Sequence, residues 1–470
     1  MSERPVHEGV TETLQGSWAP SGARPIELVF RTGGERTSEL ALKLALEHIK
    51  PDRTHLIRNA KPWGVRRMLG IEHRCSHVVF IDANCLLLED LRPFLDANEL
   101  PFVGCYGHDR FRGRIYSGVN IMRIDIVRAM RSIPEPNDNL AYMLSPDEYL
   151  LRLALRQLGF ERVFKNFHIL SDYFQRSSDI FAKYALWGLC NRATLGKKHI
   201  EAAVSRWGEG LDFDAARHAL DHVASAVPPD ATPRQVERYL CGLPYPAQIE
   251  SDQVGIEEVG EAVADDPVNL GQSPKKFKVF GVGLSRTGTH SLTEALHVLG
   301  FDTVHYPLDR ATLETLVRGD VRFPLLGYYD GITDITCSPY YEELDLEWPG
   351  SKFVLTVRDE DSWLRSCRDH WAGLSTFRYG ENEEHRIYVE IRQFLETAVY
   401  ARHGFDENRF RRAYRHHVQN VTSYFVGRER DLLVLDVAAG DGYERLAPFL
   451  GVPVPKQPFP HRGVKGEYWF

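Results

Sequence analysis

Between Phe280 and Gly300 the chain reads FGVGLSRTGTHSLTEALHVLG. An apolar run leads into two glycines, Gly283 and Gly288, in the spacing G-x-x-x-x-G, and a helical pattern follows. A turn of this kind between a strand and a helix offers backbone N–H groups and a helix N-terminus to an anion, which is the geometry of a phosphate loop. Loops that hold nucleoside triphosphates continue with Lys and Ser/Thr, which meet the terminal phosphates and Mg²⁺. Here Thr289 and His290 follow Gly288, so those two handles are absent from their places. The loop carries instead Ser285, Arg286, Thr287 and Thr289: one fixed cation inside the turn, with hydroxyls around it. A turn that merely joined a strand to a helix would need the glycines and none of the rest.

The elements that must hold this loop are legible around it. KKFKVFGVG reads as a buried strand, HSLTEALHVLG as a helix, and FDTVHYP, GITDI, KFVLTVRD and DLLVLDV as further strands separated by helical stretches. Such alternation predicts a parallel sheet flanked by helices. A second candidate anion block lies in KFVLTVRDEDSWLRS, where Arg358 ends a strand and Ser366 follows on the next helix. A guanidinium at a strand end can bind a phosphate through two donors.

The stretch GLSRTGTHSL resembles the 5′-phosphosulfate loop of P-loop sulfotransferases, the enzymes that use 3′-phosphoadenosine 5′-phosphosulfate (PAPS). KFVLTVRDEDSWLRS resembles the strand and helix that hold the 3′-phosphate in that family, and the ending LLVLDVAAGDGYERLAPFLGVPVPKQPFPHR resembles the C-terminal segment of a bacterial subgroup. The resemblance covers about 275 to 462 and implies metal-free, in-line transfer of a sulfuryl group to a hydroxyl or amine of a small-molecule or glycan acceptor. It assigns Arg286 to the charge that builds on the bridging and sulfuryl oxygens. It places Gly283, Ser285, Thr287, Gly288, Thr289, His290 and Ser291 around the 5′-phosphate, mainly through backbone groups. Arg358 and Ser366 would take the 3′-phosphate. Arg462, in a tail with His461 and Lys465, would close over that phosphate or remain a solvated tail. The position that carries a base in related enzymes is Asp334 here, in GITDITCSP; partial burial would raise its pKa for that task. A strand-end cap is the alternative reading of Asp334, and His305 is a second candidate base.

The first part of the chain alternates in the same way, with IELVF, SELALKLALEHI, THLIR, HVVFIDA and PFVGCYG, and predicts a largely parallel sheet. HVVFIDANCLLLEDLRPFL resembles the central strand of GT-A glycosyltransferases, where an Asp-x-Asp holds a divalent cation and a nucleotide sugar. Asp82 is present and Asn84 replaces the second acid; an amide oxygen adds no charge. That resemblance implies a nucleotide sugar with Mn²⁺ or Mg²⁺, Asp82, Asn84 and His168 as metal ligands, and Asp147 or Glu148 in sugar contact. A strand-end turn former is the other reading of Asp82, and a glycan-binding domain without turnover is the other reading of the whole.

The expected architecture is therefore α/β with two domains: a loose tail at 1–24, a Rossmann-like GT-A domain at 25–205, a helical connector and acidic linker at 206–274, and a sulfotransferase domain at 275–470. The chain length of 470 residues fits two cores. A net charge of −8 argues against a general nucleic-acid binder. Seven scattered cysteines without CxxC spacing suggest reduced thiols, and with no apolar leader or span they point to the cytoplasm. Oligomeric state is not legible. A P-loop kinase or nucleotidase, which would require ATP and Mg²⁺, and a nucleotide- or glycan-binding module are the rival functions.

Overall fold

The computed structural model describes residues 11–15, 24–58, 65–136, 139–192, 200–243 apart from 202 and 206, 277–372 and 383–461. Arg462, Lys465 and the acidic linker lie outside them. The chain divides into two compact units, Met1–Asp265 and Asp266–Trp469. Among the described residues no helix is long and apolar enough to cross a membrane.

In the first unit β1 (Thr11–Gln15), β2 (Ile26–Thr32), β3 (Arg53–Arg58), β4 (His77–Asp82), β5 (Cys85–Leu87), β6 (Phe102–Asp109), β7 (Gly113–Arg123) and β8 (Val163–Ser171) form one sheet, ordered β1-β3-β2-β4-β7-β6-β8-β5. Strands β3, β2 and β4 are parallel, as the alternation predicts, and the helix Ser38–Ile49 between β2 and β3 buries Leu40, Ala41, Leu44, Ala45 and Ile49 on one face. The other half of the sheet departs from the expectation, because β7 runs antiparallel to both β4 and β6. Only Arg110, Phe111 and Arg112 separate β6 from β7, far too few for the crossover a parallel pair needs. The expected connector also turns back: the helices Leu211–Ala226 and Pro233–Cys241 place Phe213, Val223, Val236 and Leu240 in one core with Phe111, Tyr184 and Trp207 of this unit.

The second unit is a five-stranded, wholly parallel sheet of β9 (Val279–Gly281), β10 (Thr303–His305), β11 (Gly331–Thr333), β12 (Lys352–Thr356) and β13 (Leu432–Leu435), ordered β10-β11-β9-β12-β13. Both faces are covered. Phe280, Ile332, Phe353, Trp363 and Phe410 pack on one side, and Val279, Leu292, Leu296, Val354 and Leu446 on the other. The chain leaves β9 toward β10 and β11 on one flank, then returns to β12 and β13 on the other. The carboxyl end of β9 is thus the point where strand order reverses, the place where open α/β sheets form a ligand crevice. Asp334 follows β11 and Arg358 lies just beyond β12, one on each side of the loop.

Candidate anion site at the reversal of strand order

The loop 282–288 is shaped by bonds that engage its carbonyls, four of them from elsewhere in the fold and one from within the turn. His417 Nε2 lies 2.6 Å from Val282 O, Ser338 Oγ donates to Gly283 O at 2.8 Å, Thr287 Oγ1 to Leu284 O at 2.6 Å, Trp363 Nε1 to Ser285 O at 2.9 Å and Arg358 Nη1 to Arg286 O at 3.5 Å. Five consecutive carbonyls are thereby engaged by the protein. In a trans peptide the N–H of the next residue points opposite the carbonyl, so the amides of Leu284, Ser285 and Arg286 are turned to the other side of the turn. This is the arrangement of an anion-binding hollow.

Gly283 is required for close approach: a Cβ there would stand 1.9 Å from Thr356 Oγ1. Gly288 takes φ 107° and caps the helix Thr289–Val298. Thr287 departs from its expected place on the phosphate. Its hydroxyl bonds Leu284 O and Thr356 Oγ1, both at 2.6 Å, and its N–H bonds Leu284 O at 3.2 Å, so this residue is spent on closing the turn. Ser291 is likewise buried, on the first turn of the helix.

On the β11 flank, Asp334 is 4% exposed and surrounded by donors. Its Oδ1 accepts from Ser285 Oγ at 2.5 Å and from the Ile335 amide at 2.6 Å. Its Oδ2 accepts from Thr289 Oγ1 at 2.8 Å and faces His305 Nε2 at 3.0 Å. Burial works to raise this carboxyl, yet the hydrogen bond and charge of His305, with Ser285 and the Ile335 amide, outweigh it and hold the group well below the usual carboxylate range. The expected upward shift is reversed, because a carboxylate supplied with four donors gains nothing by taking a proton. His305 instead stands where an oriented base would. A carboxylate only accepts, so Nε2 carries the hydrogen toward Asp334, and in the neutral form of the ring the lone pair is left on Nδ1. The ring is fixed further by stacking on His290, with centroids 3.6 Å apart at 24°.

On the β12 flank, Tyr414 clamps the Arg358 backbone, accepting from its N–H at 2.9 Å and donating to its carbonyl at 2.5 Å. Arg358 Nε bonds Ser362 Oγ at 3.0 Å, while Arg286 Nε bonds Ser366 Oγ at 3.1 Å. Among the described residues no carboxylate pairs with Arg358. The loop, Arg286, Arg358 and Ser366 are therefore brought together as the sequence implied. Three further contributors carried no local signal: Thr356, which receives Thr287; Tyr414; and His370, pushed down to about 4 by burial and by the Arg286 cation.

In the first unit the sequence-implied metal set does not assemble. Asp82 is held by Arg31, with Nε to Oδ1 at 2.6 Å and Nη2 to Oδ2 at 3.0 Å, and the same guanidinium reaches Asp147 Oδ2 at 3.1 Å. Asn84 donates to Asp172 Oδ1 at 2.7 Å, as does Lys183 Nζ at 2.6 Å. The Asn84 carbonyl receives Asp172 N–H and the His168 carbonyl receives Leu88 N–H, which puts Asn84 and His168 at opposite ends of the β5–β8 ladder. Four residues of strand separate them, about 13 Å, too far for one metal shell. Glu148 is bonded by Arg162 at 2.7 Å.

The sulfotransferase domain family matches the chain over residues 278–468. Ava biosynthesis cluster protein M of Aspergillus versicolor is 27% identical over 233 residues, covering 41% of this chain and 86% of that protein. Among solved structures, the glycosyltransferase GlyE of Streptococcus pneumoniae aligns with 71% of this chain and 91% of its own at 12% identity and a TM-score of 0.19. Its apo form aligns with 79% and 89% at 10% identity and the same TM-score of 0.19. Likeness at that level carries no argument about the first unit.

Proposed function

We propose that the second unit, whose residues 278–468 match the sulfotransferase domain family, transfers the sulfuryl group of PAPS to a hydroxyl or amine of a small-molecule or glycan acceptor. The donor supplies the sulfuryl group and a stable phosphate leaving group. The loop amides and helix N-terminus receive the 5′-phosphate, with Ser285, Thr289 and His290 at its rim. Arg358 and Ser366 take the 3′-phosphate. As the new bond from acceptor to sulfur forms and the sulfur–phosphate oxygen bond breaks, the acceptor proton passes to His305 Nδ1. The charge released on the bridging oxygen falls to Arg286. Asp334 is a positioning residue: it keeps the hydrogen on Nε2 and stabilises the imidazolium that forms. The observation that carries this reading is the run of five engaged carbonyls from Val282 to Arg286 beside two arginines.

Calorimetric titration with 3′-phosphoadenosine 5′-phosphate in EDTA tests it, followed by turnover of labelled PAPS on a panel of glycans and phenols. Binding without metal and labelled product are expected. Tight binding of Mg-ATP with none of the bisphosphate would overturn it in favour of a kinase.

For the first unit we propose a sugar- or nucleotide-binding role without divalent-metal transfer. Arg31 already supplies the positive charge that a cation would bring to Asp82 and Asp147. UDP-glucose hydrolysis stimulated by Mn²⁺ would overturn this.

A further inference from the structure

A second cluster of chemistry-bearing side chains sits at the opposite, amino-terminal ends of the first unit's parallel strands. Glu27 is the second residue of β2, His55 the third of β3, and His73 and Cys75 lie in the segment that leads into β4. Glu27 Oε2 is 2.9 Å from His55 Nε2 and 2.6 Å from His73 Nδ1. The two imidazoles meet edge to face, centroids 5.3 Å apart at 89°. One ligand atom each from Glu27, His73 and Cys75 lies within 4.8 Å of the others. The side chains of His55 and His73 are 1% exposed and that of Glu27 is 2%.

The surroundings point to an inner and an outer shell. The other carboxylate oxygen, Oε1, accepts from the Arg74 amide at 2.8 Å and from Arg53 Nη1 at 3.3 Å, which orients the carboxylate with Oε2 toward the imidazoles and the thiol.

We propose that Glu27, His73 and Cys75 form a buried, structural site for a divalent transition metal of the zinc type, with His55 holding the Glu27 carboxylate in place. One carboxylate, one imidazole and one thiolate, with a water in the fourth place, suit a tetrahedral borderline-soft ion, and the nitrogen and sulfur donors disfavour Mg²⁺ and Ca²⁺. Around such an ion, bonds of about 2.0 Å to nitrogen and oxygen separate neighbouring ligand atoms by about 3.3 Å. The 2.6 Å between Glu27 and His73 would open and the wider separations in the group, up to 4.8 Å, would close to meet it. Binding releases the Cys75 thiol proton to solvent. The ion would tie β2 to the entry of β4, remote along the strands from Asp82 at the carboxyl end of β4.

The full chain, stripped by a chelator and titrated with Co²⁺, tests this directly. The expected result is a thiolate-to-cobalt charge-transfer band with tetrahedral visible absorption that saturates at one equivalent, is displaced by Zn²⁺ and is lost in Cys75→Ser. X-ray absorption of the Zn²⁺ protein should give one sulfur and three nitrogen or oxygen neighbours, a readout that holds even if Cys75→Ser fails to fold. Zn²⁺ should also raise the midpoint of thermal unfolding by several degrees when free metal far exceeds Kd. No saturable cobalt spectrum, a zinc shell without sulfur, or stoichiometric binding that survives in a folded His73→Gln/Cys75→Ser chain would overturn the proposal.

Discussion

Each unit brings an arginine and an aspartate to the carboxyl ends of its parallel strands, and the two arrangements spend their charge in opposite ways. In the first, Arg31 is forked onto Asp82 and shared with Asp147. In the second, Asp334 is satisfied by two hydroxyls, an amide and an imidazole, while Arg358 bonds a hydroxyl and a backbone carbonyl. A guanidinium satisfied by carboxylates has little left for a phosphate, whereas one resting on neutral acceptors gains by exchanging them for an anion. The difference in partners, more than the residue types, separates a candidate anion site from an internally balanced one.

Substitutions can break that contrast. The largest effect belongs to Arg286→Ala: sulfuryl transfer should fall about a thousandfold, as for loss of a group that meets developing charge, measured with labelled PAPS at saturation. Gly283→Ala should lower stability by about 3 kcal/mol in urea unfolding, the upper range for overpacking, because its methyl would meet Thr356 Oγ1 at 1.9 Å. His305→Ala should lower kcat about a hundredfold with little change in the bisphosphate Kd from calorimetry; an unchanged kcat would remove the imidazole from proton transfer.

A further prediction concerns pH. His370 titrates near 6.5 when unfolded and at about 4 when folded, so the unfolded chain binds the extra proton between those values. Its contribution to stability is full above the higher value and is lost as pH falls toward the lower. Between neutral pH and about 5 the loss should be on the order of 2 kcal/mol, and His370→Gln should flatten that part of the urea-midpoint profile. The smallest effect is expected from Arg31→Ala. Its partners are partly exposed, so about 1 kcal/mol of stability should go, and sulfuryl transfer should stay within about twofold. A collapse of transfer in that variant would mean the first unit's charge balance matters to the second.

The turn at 282–288 was legible because its signal is local: two glycines, a cation and hydroxyls within one turn. Arg358 and Ser366 were legible because a strand end and the next helix are neighbours in sequence. The reversal of roles at Asp334 was not, since it depends on His305 arriving from β10, which pairs beside β11 only after folding. The Thr287 hydroxyl misled for a related reason, as its partner Thr356 comes from β12. In the first unit the parallel half followed from the alternation of strand and helix, while the tight connection between β6 and β7 hid among residues with no Asn-Gly or Gly-Gly turn signal. Glu27, His73 and Cys75 stayed silent because metal spacings are recognised within short motifs, and Glu27 stands far from the other two in sequence.

Arg286 and Asp334 adopt φ of 74° and 77°, the left-handed region in which a side chain is disfavoured. Glycine would suit either position better, yet glycine can neither neutralise a leaving group nor align an imidazole. Arg286→Gly should therefore give a protein that tolerates heat at least as well as the parent while turning over almost nothing. Selection of this chain for thermal endurance alone would drift toward erasing its chemistry, and a screen for hardier variants should keep product formation as a second gate.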